Sequence, residues 1–349
     1  MIVGAAVVST KLSRRSLLLA PLAAAGCAAL PMPTHTSLPT GTAPAAELWL
    51  PASEGALPAR AWLPDGPPRA VILGLHGFND SRDAWELPGP VFAAAGIALY
   101  APDQRGFGGA PDRGRWPGQA RLAADASAML RAVAAKWSGV PLYAMGESMG
   151  GALLMVVAAS GAAPPVAGWV LSAPAVWGRQ QMGPALSAAL WVASNAAPGW
   201  TLTGREVPIK VVATDNREAL IRLARDPLTI RRTRVDALRG LADLMDAAQA
   251  AAPKLPTNVL ALYGGRDRIV PPDAMRRAWT RMPADARRAL YPTGYHLLLR
   301  DRDRALPTGD VLAWIADRDG WLPSGADAAA TAWLAAPEEG AGAERLLGL

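Results

Sequence analysis

The sequence is poor in cysteine and histidine, with one cysteine and three histidines among 349 residues. A single cysteine excludes an internal disulfide, so the fold must be stable without one. These four side chains are also too few for a typical His/Cys metal cluster. We therefore expect no metal, and the sequence indicates no cofactor.

The sequence also lacks a strong charge imbalance. The net charge of +6 includes Lys11, Arg14 and Arg15, and no acidic residue precedes Cys27, so the chain from there on carries +6 − 3 = +3. So small and scattered a positive charge argues against nucleic acid as a partner.

The first 27 residues predict an export signal, because a basic stretch is followed by an apolar run too short to span a bilayer. Residues 13–18 (SRRSLL) resemble the twin-arginine export signal. Residues 24–27 (AAGC) resemble a bacterial lipobox, with alanine where leucine is usual. The resemblance implies an exported lipoprotein, anchored to the membrane on the periplasmic side through lipidated Cys27. The alternative is an ordinary cleaved signal whose cysteine is incidental.

Composition divides the rest of the chain into three parts. Residues 28–46 are rich in Pro, Thr and Ala and predict a flexible tether. Residues 47–321 are long enough for one α/β domain, and residues 322–349 form an Ala- and Gly-rich tail. Within the domain, residues 178–254 contain no convincing strand, which predicts a helical lid inserted there.

Short apolar runs alternate with helical patterns through the domain. Strands are predicted at residues 47–50, 60–63, 70–76, 96–101, 140–145, 166–172, 258–263 and 287–291. Helices are predicted at residues 119–137, 151–159 and 310–318. This alternation predicts an α/β fold: a mostly parallel sheet with helices on both faces, opened by an antiparallel pair. In such sheets ligands bind beyond the carboxyl ends of the strands.

Residues 146–150 read GESMG at the point where a strand pattern gives way to a helical pattern. This is the G-x-S-x-G nucleophile elbow. Gly146 and Gly150 flank the serine where the backbone of a sharp strand-to-helix turn approaches its neighbours and side chains would clash. Ser148 is therefore the predicted nucleophile.

A serine hydroxyl needs a base to take its proton, and the base needs a carboxylate to orient it. Of the three histidines, His35 lies in the tether and His76 lies inside an apparent oxyanion loop, which leaves His296 as the base. Asp267 follows a predicted strand and is the candidate carboxylate; its alternative role is to cap the next turn. Asp103 lies in a Gly-rich turn before the nucleophile, where we expect a structural role.

Two backbone N–H groups are needed to stabilise a developing oxyanion. One is expected from Met149, the residue after the nucleophile, and the other from Phe78, in the loop after residues 70–76. The side chain of Phe78 then lines the pocket or packs. His76 is expected to hold this loop in shape.

The chain resembles α/β-hydrolases of the monoacylglycerol lipase and lysophospholipase group, also called serine aminopeptidase-like. The resemblance covers roughly residues 60–320 and rests on these motifs: HG at residues 76–77, DQRGFG at 103–108, GESMGG at 146–151, GRD at 265–267 and YH at 295–296. It implies an α/β-hydrolase fold with a helical cap and a serine esterase whose triad follows the order Ser, Asp, His. Residues 78–80 (FND) depart from the small residue and glutamate-histidine pattern usual in monoacylglycerol lipases, which concerns the substrate more than the chemistry.

The predicted function is hydrolysis of monoacylglycerol, lysophospholipid or similar acyl esters through an acyl-enzyme. One alternative is an aminopeptidase or amidase with the same triad, which would need an acidic pocket for a free amine. Glu147 is expected to point into the sheet and gives no such pocket. A second alternative is a catalytically silent binding lipoprotein that has kept the fold.

The predicted lid is rich in apolar side chains. Trp177, Trp191 and Trp200 are candidates to line the acyl pocket or to face a membrane, and packing within the lid is an equal alternative. Leu186 and Leu190 lie four residues apart on one helical stripe and are expected to pack the lid onto the sheet domain.

Overall fold

The computed structural model describes residues 45–203 and 211–336. The strands in chain order are β1 (Ala46–Pro51), β2 (Ala56–Trp62), β3 (Ala70–Leu75), β4 (Ile97–Pro102), β5 (Leu142–Glu147), β6 (Gly168–Ser172), β7 (Thr201–Leu202), β8 (Thr233–Arg234), β9 (Val259–Gly264) and β10 (Arg287–Tyr291). The helices are α1 (Pro88–Ala94), α2 (Gln119–Lys136), α3 (Met149–Ser160), α4 (Arg179–Met182), α5 (Pro184–Ala196), α6 (Arg217–Arg225), α7 (Val235–Ala251), α8 (Pro272–Arg281), α9 (Ala305–Ala316) and α10 (Ala326–Ala335). Short 3₁₀ helices cover Arg82–Trp85, Ala252–Lys254 and Leu298–Arg300. The predicted export signal with Cys27, and residues 337–349 of the predicted tail, lie outside the described residues.

Eight strands form the central sheet in the order β1-β2-β4-β3-β5-β6-β9-β10. The strands from β4 to β10 in that order pair in parallel, whereas β1 and β2 pair antiparallel to each other and β2 pairs antiparallel to β4. This arrangement confirms the predicted fold class. It also confirms that an antiparallel pair opens the sheet.

The sheet is buried on both faces because helices cover each of them. Along β3, Val71 and Leu73 face the core beneath α2, α3, α7 and α8, while Ile72 faces the core beneath α1 and α9. Such two-sided burial explains why the central strands read as continuous apolar runs. Because both faces are buried, the polar side chains of the site lie at the carboxyl edge of the sheet.

Helix α7 belongs to the sheet domain, although the sequence placed it within the lid. Ala242, Leu244 and Ala248 of this helix are buried in the core that α3 also covers. The Gln249 side chain donates to the carbonyl oxygens of Val176 at 2.7 Å and Ala274 at 3.0 Å. We therefore use the term insertion for residues 179–234 alone, which carry α4, α5, α6, β7 and β8.

The insertion is bound at two places to loops at the carboxyl edge of the sheet. Near its C-terminal end, the Ile230 N–H donates to the carbonyl oxygen of Asn79 at 2.8 Å, and the Asn79 side chain donates to the Thr233 hydroxyl at 2.6 Å. Further inside the insertion, the carbonyl oxygen of Ala213 accepts from the Leu297 N–H at 2.9 Å. The insertion thus contacts the loop after β3 and the loop after β10.

The predicted tail begins with a helix that packs on the domain. This helix, α10, covers Ala326–Ala335. The Trp333 ring of α10 lies 5.9 Å from the ring of Tyr263 and 5.5 Å from that of Trp279, and the Arg276 guanidinium lies 4.6 Å from it. Within residues 45–203 and 211–336, no helix has both the length and the apolar character needed to cross a bilayer.

Candidate active site

Ser148 lies in the sharp turn between β5 and α3. Its backbone adopts φ 53° and ψ −113°, a conformation that side chains rarely adopt. A Cβ added at Gly146 would lie 2.4 Å from the carbonyl carbon of Gly150, and one at Gly150 would lie 2.2 Å from the Leu75 oxygen. Both positions therefore require glycine, as the sequence predicted, and the half-buried Ser148 is held at the carboxyl edge of the sheet.

Asp267 and His296 come together at the same edge. Asp267 follows β9, His296 follows β10, and the Nδ1 atom of His296 lies 2.7 Å from Asp267 Oδ2. The other carboxylate oxygen of Asp267 accepts from the N–H groups of Ile269 at 2.7 Å and Val270 at 3.0 Å. With Nδ1–H donating to the carboxylate, the Nε2 atom of His296 is left as the proton acceptor.

The surroundings of His296 favour its protonated form. Burial disfavours the imidazolium and acts in the opposite direction, but the negative charge and the hydrogen bond of Asp267, with the charge of Glu147, outweigh it and raise the pKa of His296. The structure therefore brings together a buried acid–base pair of the kind that can accept and return a proton.

The loop after β3 lies directly against Ser148. A Cβ at Gly77 would lie 3.4 Å from the Ser148 Cβ. The Phe78 N–H donates to no group among the described residues. Met149 is the first residue of α3, where a helix leaves its N–H groups unpaired. The Phe78 ring packs edge-on against Phe107 at 5.5 Å.

His76 is buried, and both of its ring nitrogens have partners. Nδ1 lies 2.7 Å from the Gly77 oxygen, and the Gln104 N–H donates to Nε2 at 3.0 Å. The Gln104 side chain also donates to the His76 carbonyl oxygen at 2.7 Å. These contacts hold the loop after β3 against the loop after β4.

Asp103 has partners that define the shape of its own loop. Its carboxylate accepts from the N–H groups of Arg82 at 2.6 Å and Gly109 at 2.7 Å and pairs with the Arg82 guanidinium. A Cβ at Gly108 would lie 2.2 Å from the Asp103 carboxylate carbon. Asp103 is thus occupied by its own turn and by Arg82, and the carboxylate that contacts His296 is that of Asp267.

A buried ionic cluster behind the elbow was missed by the sequence reasoning. Arg300 Nη2 donates to Asp80 Oδ2 at 2.6 Å and to Glu147 Oε1 at 2.5 Å. Burial raises the pKa of Glu147, while the positive charge of Arg300 opposes that rise. Glu147 points inward, as expected. Its partner Arg300 is one of three arginines that alternate with aspartates at residues 300–304, and nothing in that pattern distinguishes it.

The three tryptophans named from the sequence lie in different surroundings. Trp177 is partly buried and packs against the core, whereas Trp191 and Trp200 are each 60 % exposed. The two leucines also differ, since Leu190 packs against the core and Leu186 is 51 % exposed. Helix α5 contacts α7, and the Arg239 side chain of α7 donates to the Ser194 hydroxyl of α5 at 3.3 Å.

A cavity of about 340 Å³ lies between the insertion and the loop after β3. Asp80, Arg300 and Asp226 line it, and α6 forms one wall. Its described lining includes neither Ser148 nor His296, so it is separate from the hydroxyl and imidazole groups. In the part of the chain that the structure describes, no three His, Cys, Asp or Glu side chains are grouped to hold a metal ion.

Comparisons with known proteins identify the family of this chain. Residues 66–303 match the family described as serine aminopeptidase, S33. The monoacylglycerol lipase of Mycolicibacterium smegmatis is 29 % identical over 263 residues, which cover 73 % of this chain and 90 % of the relative.

Two solved structures share the fold. The monoacylglycerol lipase of Paleococcus ferrophilus superposes with a TM-score of 0.64 at 21 % identity, over 75 % of this chain and 99 % of that one. A carboxyl esterase from Bacillus coagulans, solved with glycerol, gives a TM-score of 0.64 at 19 % identity, over 78 % of this chain and 98 % of that one. These findings confirm the resemblance seen in the motifs. The chain belongs to the serine aminopeptidase S33 family of the α/β-hydrolase superfamily, and it is a serine ester hydrolase.

Proposed function

We propose that this enzyme hydrolyses monoacylglycerols, lysophospholipids or similar acyl esters through a triad of Ser148, Asp267 and His296. The observation that carries the proposal is the 2.7 Å contact between His296 Nδ1 and Asp267. Ser148, held at positive φ after β5, lies at the same carboxyl edge of the sheet. The carboxylate fixes the imidazole tautomer, which leaves Nε2 free to take the serine proton. The names of the relatives support acylglycerols as the substrate class.

In the proposed reaction, Ser148 Oγ attacks the ester carbonyl carbon while its proton passes to His296 Nε2. The N–H groups of Phe78 and Met149 stabilise the oxyanion of the tetrahedral intermediate. The carbon–oxygen bond to the alcohol breaks, the alcohol takes the proton from His296, and an acyl-enzyme remains. Water then attacks the acyl carbon, His296 accepts its proton and returns it to Ser148, and the carboxylic acid leaves.

The experiment is turnover of p-nitrophenyl esters from C2 to C16, monoacylglycerol and lysophospholipid by the wild type and by Ser148→Ala. We expect Ser148→Ala to lose turnover of every ester, since no other side chain in the proposal makes the acyl bond. A fluorophosphonate probe is expected to label the wild type at Ser148. Full ester turnover by Ser148→Ala would contradict the proposal.

Amide substrates added to this panel separate the two alternatives. Aminoacyl p-nitroanilides test the amidase or aminopeptidase, and faster turnover of these than of any ester would replace the ester substrate in the proposal. A wild type that neither reacts with the fluorophosphonate nor turns over any substrate would be the silent binding protein.

We further infer that the enzyme is exported and held at a membrane through Cys27, with lipid also contacting the insertion. The lipobox-like residues 24–27 and the exposed Trp191 and Leu186 of α5 support this inference. The test is labelling in bacteria with an alkyne fatty acid, followed by fractionation. We expect label and membrane association for the wild type and neither for Cys27→Ser; a membrane-bound, unlabelled wild type would contradict the anchor.

A further inference from the structure

One buried guanidinium connects three segments of the chain at the carboxyl edge of the sheet. Arg300 lies four residues after His296 and is 4 % exposed. Its Nη2 atom donates both to Asp80, in the loop after β3, and to Glu147, the last residue of β5. A single nitrogen atom therefore fixes the separation of two carboxylates that belong to different segments.

Each of these carboxylates lies next to a proposed oxyanion donor. Asp80 is two residues after Phe78, and its N–H donates to the Gly77 oxygen at 3.3 Å, which closes the turn that presents the Phe78 N–H. Glu147 is two residues before Met149. The distance between the carboxylates thus constrains the distance between the two N–H groups.

The positive charge is what allows the two carboxylates to lie together. Asp80 and Glu147 are both buried, and like charges at such a distance repel each other strongly when water is excluded. Without the guanidinium, the pair would separate or take up a proton, and either response would move the two segments. Arginine suits this position because its charge is fixed and its nitrogens hold a planar geometry.

We propose that Arg300 is a positioning residue which, through Asp80 and Glu147, holds the Phe78 and Met149 N–H groups at the spacing that stabilises the oxyanion. The inference rests on the proposed function of Ser148 and of these two donors. Because the oxyanion forms after the ester has bound, the loss of Arg300 acts on kcat and leaves KM nearly unchanged.

The experiment measures kcat and KM for p-nitrophenyl butyrate with Arg300→Met and Arg300→Lys. Each rate is divided by the concentration of active sites, which is measured by titration to completion with a fluorophosphonate. Complete removal of one oxyanion donor costs about 10²–10³ in kcat, so displacement of both is expected to cost about 10–100-fold in Arg300→Met. Arg300→Lys keeps the charge and is expected to recover part of that loss. KM is expected to stay within about twofold.

The matched control is Arg287→Met, which removes an ion pair with the buried Asp327 at the opposite end of β10. This variant also loses a partly buried ion pair, but the pair does not contact the turn that carries Ser148. We therefore expect Arg287→Met to keep the wild-type kcat per titrated site. If Arg300→Met does not fold, Asp80→Asn replaces it, since it removes one carboxylate charge at nearly constant volume and is expected to lower kcat with KM unchanged.

The positioning role is overturned if Arg300→Met keeps the wild-type kcat per titrated site. The same outcome in Asp80→Asn overturns it where that variant replaces Arg300→Met. A rise in KM at constant kcat also overturns it, because Arg300 would then act on substrate binding. Failure of the proposed function is distinguishable, since the wild type itself would then show no turnover that depends on Ser148.

Discussion

At the scale of single residues, the charge state of the His296 imidazole controls the proposed reaction. The imidazole must be neutral to accept the serine proton, and its pKa is raised because Asp267 and Glu147 outweigh the effect of burial. The rate therefore falls as the pH drops through this pKa. We expect the acid limb of kcat/KM in the wild type to have its midpoint above the ordinary histidine value of about 6.5.

The variant Asp267→Asn tests the cause of that shift. Removal of the carboxylate charge leaves burial as the larger effect, so the acid limb is expected to move to lower pH. The rate is expected to fall by about 10⁴ at its maximum, because asparagine no longer fixes the tautomer. A fluorogenic ester, with the Ser148→Ala rate subtracted, gives the profile; a limb that does not move would show that Asp267 does not set this pKa.

At the scale of single elements, the turn between β5 and α3 tolerates almost no added volume. Gly150→Ala places a methyl group 2.2 Å from a backbone oxygen of β3, where no side chain can move aside. We expect Gly150→Ala to lower the unfolding free energy by more than about 4 kcal/mol, which is typical of the most damaging substitutions, or to prevent folding.

The control for this substitution is Gly66→Ala. An added Cβ there meets no atom within 4 Å, so its unfolding free energy is expected to stay within about 0.5 kcal/mol of the wild type. Urea unfolding followed by tryptophan fluorescence measures both variants. Similar unfolding midpoints for the two would contradict the geometry of the elbow.

The elements that could be predicted from the sequence are those whose local residue pattern also determines their place in the fold. The apolar run of β5, the glycines around Ser148 and the helix α3 could be read from spacing alone, because the turn itself demands those residues. The partner of Glu147 could not be read, because Arg300 lies 153 residues away in the chain. Residues 235–251 were included in the predicted lid for a similar reason: periodicity shows the apolar face of α7 but not the element that covers it.

At the scale of the whole molecule, α10 packs on the sheet domain although it lies beyond the predicted limit of residue 321. Trp333 packs against Tyr263 of β9 and Trp279 of α8. We expect Trp333→Ala to lower the unfolding free energy by about 3 kcal/mol. This value is at the lower end of the range for tryptophan truncations, because the ring is only partly buried.

Trp321→Ala is the matched control, since Trp321 is 80 % exposed and its truncation is expected to cost less than about 0.5 kcal/mol. Thermal unfolding monitored by circular dichroism compares the two. Equal unfolding temperatures would mean that α10 does not stabilise the domain.

The order of the strands has a consequence for how the chain folds. Ser148 follows β5, whereas Asp267 and His296 follow β9 and β10, so the site joins segments that are far apart in sequence. Pairings between distant segments form slowly, because closing the long loop between them costs entropy before their contacts can form. During refolding from urea, the recovery of esterase activity therefore reports the arrival of the last two strands, and it is expected to lag behind the recovery of helical signal.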